Sequence, residues 1–205
     1  MIEFVSQADR CKLKTYLLNY INHNCIVRAK PGTYIPGKNC RSRNTWQFYL
    51  RKGLFNPEFS KIASVLLLDL IQQKLGHLNF QLSGLETAAI PLLVSLPAIA
   101  FEYDIYLGAF SVRKTSKKYG VNTNIEGRVC LETPVLLIDD LCNSGNSLET
   151  ARYKIKDEYD LEFLNCVVSI VSKNNDTIPS LGQVYSLFKF ADFDLAYTQY
   201  TKKYT

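Results

Sequence analysis

Apolar and polar positions along this chain switch between a helical and a strand period. Leu13, Leu17, Leu18 and Ile21 recur at helical spacing and predict an amphipathic helix over 8–22. Asn56-Pro57-Glu58 supplies a cap and a first-turn proline, predicting a second helix that runs to residue 75. Between them, Pro31-Gly32, Pro36-Gly37 and the stretch 38–44 mark turns and a basic loop, and 46–50 is strand-like. From residue 80 the two periods alternate. A short strand over 80–82 meets the Ser83-Gly84 turn, and a helix over 87–101 follows, with Pro91 tolerable only in its early turns. A strand over 105–112, a polar loop over 113–127, a buried strand over 135–139, a helix over 147–158 and an apolar strand over 163–171 complete the series.

That alternation predicts an α/β domain, a central parallel sheet with helices on both faces. Residues 184–190 and the N-terminal section are expected to form a small cap, or hood, over the strand ends. The resulting division is 1–56 as helix, basic loop and strand of the hood, 57–175 as core, and 176–205 as an extension packing on both. A chain of 205 residues suits one such domain.

Charge and cysteine usage narrow the chemistry. The longest apolar run, 90–101, is interrupted by Pro91 and Pro97 and is too short to span a bilayer. The start of the chain has no signal-peptide core, so a cytoplasmic protein without membrane association is expected. Six scattered cysteines lack any C-x-x-C spacing, which argues against zinc and disulfides, and Cys142 reads as a small filler. The net charge of +5 is uneven. Ten basic residues and no acidic one lie between Arg10 and Lys52, and Arg113, Lys114, Lys117 and Lys118 form a second block. Such blocks suit a phosphorylated small molecule or, less favoured here, nucleic acid.

The most informative segment is Val135-Leu136-Leu137-Ile138-Asp139-Asp140, followed by Leu141-Cys142-Asn143-Ser144-Gly145-Asn146-Ser147. A buried parallel strand runs into two carboxylates, then into a polar, glycine-containing turn and a helix start. Open α/β sheets bind ligands at the carboxyl ends of their strands. A helix N-terminus offers N–H groups and a positive dipole end to an anion. The segment therefore predicts a polyol held by Asp139 and Asp140 beside a phosphate cradled by residues 143–147, the two halves of a ribose 5-phosphate. Two more loops leave predicted strand ends toward the same crevice: Ser83-Gly84-Leu85-Glu86-Thr87, and Arg113-Lys114-Thr115-Ser116-Lys117-Lys118-Tyr119-Gly120.

In this order the three loops resemble the type I phosphoribosyltransferase family, the orotate phosphoribosyltransferases above all. Residues 136–147 resemble its phosphoribosyl-pyrophosphate signature, and Arg113, Lys114, Lys117, Tyr119 and Gly120 resemble its mobile catalytic loop. Gly53-Leu54-Phe55-Asn56 and Tyr185-Ser186-Leu187-Phe188 resemble flanking segments. The resemblance implies Mg²⁺-dependent exchange of pyrophosphate for a nitrogenous base at C1 of phosphoribosyl pyrophosphate, through an oxocarbenium-like transition state. It assigns Asp139 and Asp140 to the ribose hydroxyls, with a possible share in the metal. Asn143, Ser144, Gly145, Asn146 and Ser147 fall to the 5-phosphate. Arg113, Lys114 and Lys117 fall to the pyrophosphate, Lys117 being the catalytic cation, and Glu86, Thr87 and Ala88 form the pyrophosphate loop. Lys38 and Lys173 are expected at the base, and a homodimer is implied.

The chain departs from the family at Asn143 and Asn146, at Thr87-Ala88-Ala89, at Tyr119, and at Ser172-Lys173 where an Asp-Arg pair is usual. Glu86 sets a carboxylate where only a bridging Mg²⁺ would make it welcome. These departures keep two alternatives in view. One is a non-catalytic binder or regulator that senses the sugar phosphate or contacts nucleic acid or a partner protein. The other is a specialised transferase outside pyrimidine synthesis.

Overall fold

The computed structural model describes residues 4–36, 43–115, 123–173 and 176–195. Helix α1 (Gln7–Tyr20) starts where the Ser6 hydroxyl accepts the Asp9 N–H, and a π turn (Ile21–Cys25) passes it into β1 (Ile26–Arg28). A short antiparallel pair, β2 (Ile35–Pro36) and β3 (Arg43–Asn44), precedes β4 (Trp46–Phe48), which pairs antiparallel with β1. After α2 (Arg51–Leu54), helix α3 (Pro57–Leu75) follows the predicted signals. Asn56 accepts the Phe59 N–H at 3.0 Å, and the C-cap Gly76 takes the left-handed backbone that closes the helix.

Thereafter come β5 (Gln81–Leu85), α4 (Ile90–Phe101), β6 (Ala109–Val112), β7 (Ile125–Gly127), β8 (Val135–Cys142), α5 (Asn146–Glu158), β9 (Phe163–Ser172), β10 (Thr177–Ile178) and β11 (Gly182–Lys189). A 3₁₀ turn, Phe190–Asp192, follows. Seven strands form one sheet in the order β10-β11-β9-β8-β5-β6-β7. The inner strands β11, β9, β8, β5 and β6 are parallel, and only the edge pairs β10/β11 and β6/β7 are antiparallel.

Helices cover both faces, as the alternation predicts. Leu82, Leu136, Ile138, Val168 and Ile170 meet Phe59, Leu66, Leu67, Ile71, Leu92 and Leu96 on the side of α1, α3 and α4. Val135, Leu137 and Val167 meet Leu148, Ala151 and Ile155 of α5 on the other. Burial on both faces is why β8 opens on four apolar residues and β9 is largely apolar. Among the described residues no helix is long and apolar enough to cross a membrane.

The structure departs from the sequence reading at several elements. The helix expected from 87 begins at Ile90, with Pro91 in its first turn, leaving 86–89 as loop. The expected strand 105–112 shortens to β6, and the polar loop contains β7, whose Glu126 is tolerated because an edge strand faces water. Strand β8 continues through both acids to Cys142, since β9 offers it a ladder as far as Ser172. Residues 182–189 form β11, a parallel strand of the sheet beside β9, where a capping segment was expected. Its mixed polar and apolar pattern reflects a place one strand from the sheet edge.

Candidate functional site

Strand order reverses between β5 and β8. The chain leaves β5 through α4 toward β6, and leaves β8 through α5 toward β9. Loops diverging from adjacent strand ends open a crevice, which is where doubly wound sheets take their ligands. The two strands are close here because of Gly84. A Cβ on this residue would lie 2.3 Å from the Ile138 carbonyl oxygen and 2.5 Å from Ala89 Cβ, so only glycine permits the approach.

The acids close β8. Asp139 and Asp140 are 6% and 9% exposed, and the Asp140 N–H donates to Asp139 Oδ1 at 2.9 Å. Successive strand residues point to opposite faces, yet the two carboxyls stay close enough to interact directly. Asp139 lines the crevice and feels the Lys114 charge, whereas Asp140 feels the Arg51 guanidinium of α2. Burial first, then the charge of Asp140, pushes the Asp139 carboxyl well above the usual carboxylate range, and burial raises Asp140 as well. Among the described residues neither acid has an ion-pair partner.

Beyond the acids, Gly145 caps α5 at φ +84°, and Ile178 of β10 packs where its side chain would be. No side chain caps this helix, and its first internal bond runs from the Glu149 N–H to the Gly145 carbonyl at 2.9 Å. The amides of residues 146–148 therefore lack helical partners and point out of the helix end. Asn143, Ser144, Gly145, Asn146 and Ser147 all line the crevice, whose volume is about 660 Å³. Asn44, Thr45, Trp46, Gln47 and Phe48, with Phe190, form the opposite wall. Trp46 and Phe48 are braced edge-on to one another at 5.6 Å between ring centroids, and Phe190 packs on both.

No protein-family model matches the chain. Its sequence is similar to the orotate phosphoribosyltransferase of Bradyrhizobium diazoefficiens, 27% identical over 159 residues, 74% of this chain and 82% of that one. Its structure is similar to the Mycobacterium tuberculosis orotate phosphoribosyltransferase, with a TM-score of 0.71 at 20% identity, over 90% of this chain and 99% of that one. The fold is that of the type I phosphoribosyltransferases. A structure of the same mycobacterial protein in complex with 5-phospho-α-D-ribosyl 1-diphosphate is also similar, with a TM-score of 0.63 at 18% identity over 92% and 93% of the two chains.

Within this phosphoribosyltransferase fold the predicted residues are partly brought together. Asp139 and the cradle 143–147 share the crevice. Glu86, expected beside a leaving group, instead turns its carboxylate to the Lys114 N–H at 2.8 Å, with Thr87 exposed and Ala88 half-buried beside it. Arg113, expected on the same group, pairs with Glu126 of β7 at 2.8 Å. Lys173 is exposed, and its N–H donates to the Cys142 carbonyl at 2.8 Å, outside the crevice lining. Lys38, Lys117, Lys118 and Tyr119 lie outside the described residues. Burial pushes the Cys142 thiol up to about 11, which fits an inert filler.

Sequence reasoning missed Arg51 and Lys154. Arg51 sits with its guanidinium 5.3 Å from the Tyr49 ring centroid and acts on Asp140. Lys154, on α5, donates to the Arg113 and Lys114 carbonyls. Neither belongs to a local motif: Arg51 is remote in sequence from Asp140, and Lys154 lies 41 and 40 positions from the two carbonyls it meets.

Proposed function

We propose that this chain transfers a 5-phosphoribosyl group from phosphoribosyl pyrophosphate to a nitrogenous base, orotate or a related pyrimidine, releasing pyrophosphate in the cytoplasm. One observation carries the reading: a buried carboxylate without an ion-pair partner among the described residues, and an uncapped helix N-terminus, line the same crevice. The amides of 146–148, with Ser144, Ser147 and the amide groups of Asn143 and Asn146, would hold the 5-phosphate. Asp139 and Asp140 would accept from the ribose hydroxyls, and their charge would favour the cationic ring that forms at C1. Lys114, with Arg113 and Lys117, would offset the departing pyrophosphate, Lys117 acting as the catalytic cation. The wall of Trp46 and Phe48 is apolar and aromatic, suited to the face of a planar base.

Mg²⁺ fits this donor set, because the ion prefers one or two carboxylates together with substrate phosphates, and Asp139 and Asp140 are the carboxylates in place. Bound with the substrate, it would supply positive charge to the pyrophosphate. A homodimer is part of the reading. Ile90, Val94, Ala98 and Phe101 form an outward stripe on α4, all of them exposed, and a helix apolar on its outer face as well as its inner one suits a partner surface.

The test is pyrophosphate release by purified protein with Mg²⁺, phosphoribosyl pyrophosphate and a panel of bases. Turnover is expected with orotate or another pyrimidine, and Asp139→Asn should lower kcat/KM by about 10²–10³-fold. A second reading, a binder that does not turn substrate over, is favoured by one feature: the loop from Ser83 to Ala89 carries no cation and does carry Glu86. Tight binding of phosphoribosyl pyrophosphate without release from any base would select it.

A further inference from the structure

Lys114 is gripped through its own backbone on both sides. Its N–H donates to Glu86 Oε1 at 2.8 Å, and its carbonyl accepts from Lys154 Nζ at 2.9 Å. Glu86 comes from the loop after β5, and Lys154 from the middle of α5. The Lys154 ammonium also donates to the Arg113 carbonyl at 2.7 Å and to Asn124 Oδ1 at 3.1 Å, so all three of its donors are spent on this stretch. One helical turn later, the Glu158 carboxylate accepts from Thr123 Oγ1 and the Asn124 N–H, both at 2.5 Å, and from Asn124 Nδ2 at 2.9 Å. The Arg113 N–H closes the stem on the Asn124 carbonyl at 2.7 Å.

Closing a loop stem does not require this much. The β6/β7 ladder already joins the two sides at Val112 and Ile125. Two of the additional bonds, from Glu86 and Lys154, hold the Lys114 backbone. Val112 pairs with Leu85 of β5, and Ser83 of β5 with Leu137 of β8, so Lys114 stands at the same strand ends as Asp139. The loop after β5, from Ser83 to Ala89, has no basic residue to offer a pyrophosphate.

We propose that Glu86 and Lys154 are positioning residues that fix Lys114 beside Asp139, so that the β6 loop supplies the fixed cation missing from the β5 loop. The proposal rests on reading the crevice as the phosphoribosyl pyrophosphate site. It gives Glu86, a carboxylate out of place beside a leaving anion, a role as a backbone acceptor. It also makes α5 serve the crevice twice, with its first turn as the cradle and its third as the anchor of Lys114.

The experiment compares Lys154→Met, Lys154→Arg, Glu86→Ala, Lys114→Met and the Lys154→Met/Lys114→Met double variant. Lys154→Met should lower kcat/KM for phosphoribosyl pyrophosphate about 10- to 100-fold, the scale of a misplaced catalytic group. The KM of the acceptor base should stay within about 2-fold, and Lys154→Arg should recover most of the loss. On the Lys114→Met background, Lys154→Met should add less than about 2-fold, because both changes remove the same contact. Losses that multiply, or an equal rise in the base KM, would overturn the proposal. A readout independent of turnover is amide hydrogen exchange in ligand-free protein: exchange of the Lys114 N–H should quicken about 10-fold in Glu86→Ala and Lys154→Met. Unchanged exchange would refute the anchoring. Faster exchange in a protein whose wild type releases no pyrophosphate would refute the reading of the crevice while leaving the anchor in place.

Discussion

Asp139 and Asp140 set the behaviour of this molecule at the level of single residues. Their carboxyl pKa values are raised in the fold above the ordinary value of 3.8. From that pH up to the raised values, the native state binds more protons than the unfolded chain, so stability falls as pH rises through the window. The fold gives up stability at neutral pH to keep two carboxylates dry at the crevice. Asp139→Asn should therefore raise the thermal midpoint at pH 7–8 and gain less at pH 4, while activity falls. Calorimetry at the two pH values checks this, and an equal shift at both would contradict it. The acids were legible in the sequence because an apolar run that stops abruptly at two carboxylates marks a buried strand ending at a polar crevice. Glu86 was visible as an oddity, but its partner was not. The Lys114 amide lies 28 positions away, and nothing local in either segment encodes the pairing.

Helix ends show what pattern reading can and cannot reach at the level of elements. Asn56 and Pro57 announce α3, and its bounds follow from them. Helix α5 begins without a capping side chain, and that omission leaves its first amides available for an anion. The turn that permits it depends on Gly145, at φ +84° with Ile178 Cδ1 only 2.7 Å from where a Cβ would sit. Gly145→Ala should cost about 1–2 kcal/mol in urea unfolding and weaken binding of ribose 5-phosphate. Unchanged binding would separate the cradle from the phosphate. Strand β7 and the extension of β8 were not legible, for a common reason. Glu126 and Asp140 read as loop residues, and only pairing with β6 and β9 makes these segments strands.

Taken whole, the molecule is one sheet whose switch point faces an aromatic wall. The parallel core could be read from the alternation of strand and helix, since β8 opens on four apolar residues and β9 is largely apolar. The place of β11 could not, because its pattern is that of a half-covered strand and its partner β9 is fixed only by topology. The outward stripe of α4 makes a claim at this scale. Val94 is 67% exposed, so Val94→Asp should leave the stability of an isolated chain almost unchanged. If α4 joins two copies, the same substitution should convert a dimer to a monomer in light scattering and reduce turnover with it. A dimer indifferent to Val94→Asp would place the interface elsewhere.

The account depends most on a sugar phosphate seated where β8 gives way to α5. Titration of ¹⁵N-labelled protein with ribose 5-phosphate measures this directly. The largest amide shift changes should fall on residues 143–148 and on Asp139 and Asp140, and should be lost in Gly145→Ala. Changes centred on another surface, or none at saturating ligand, would contradict it.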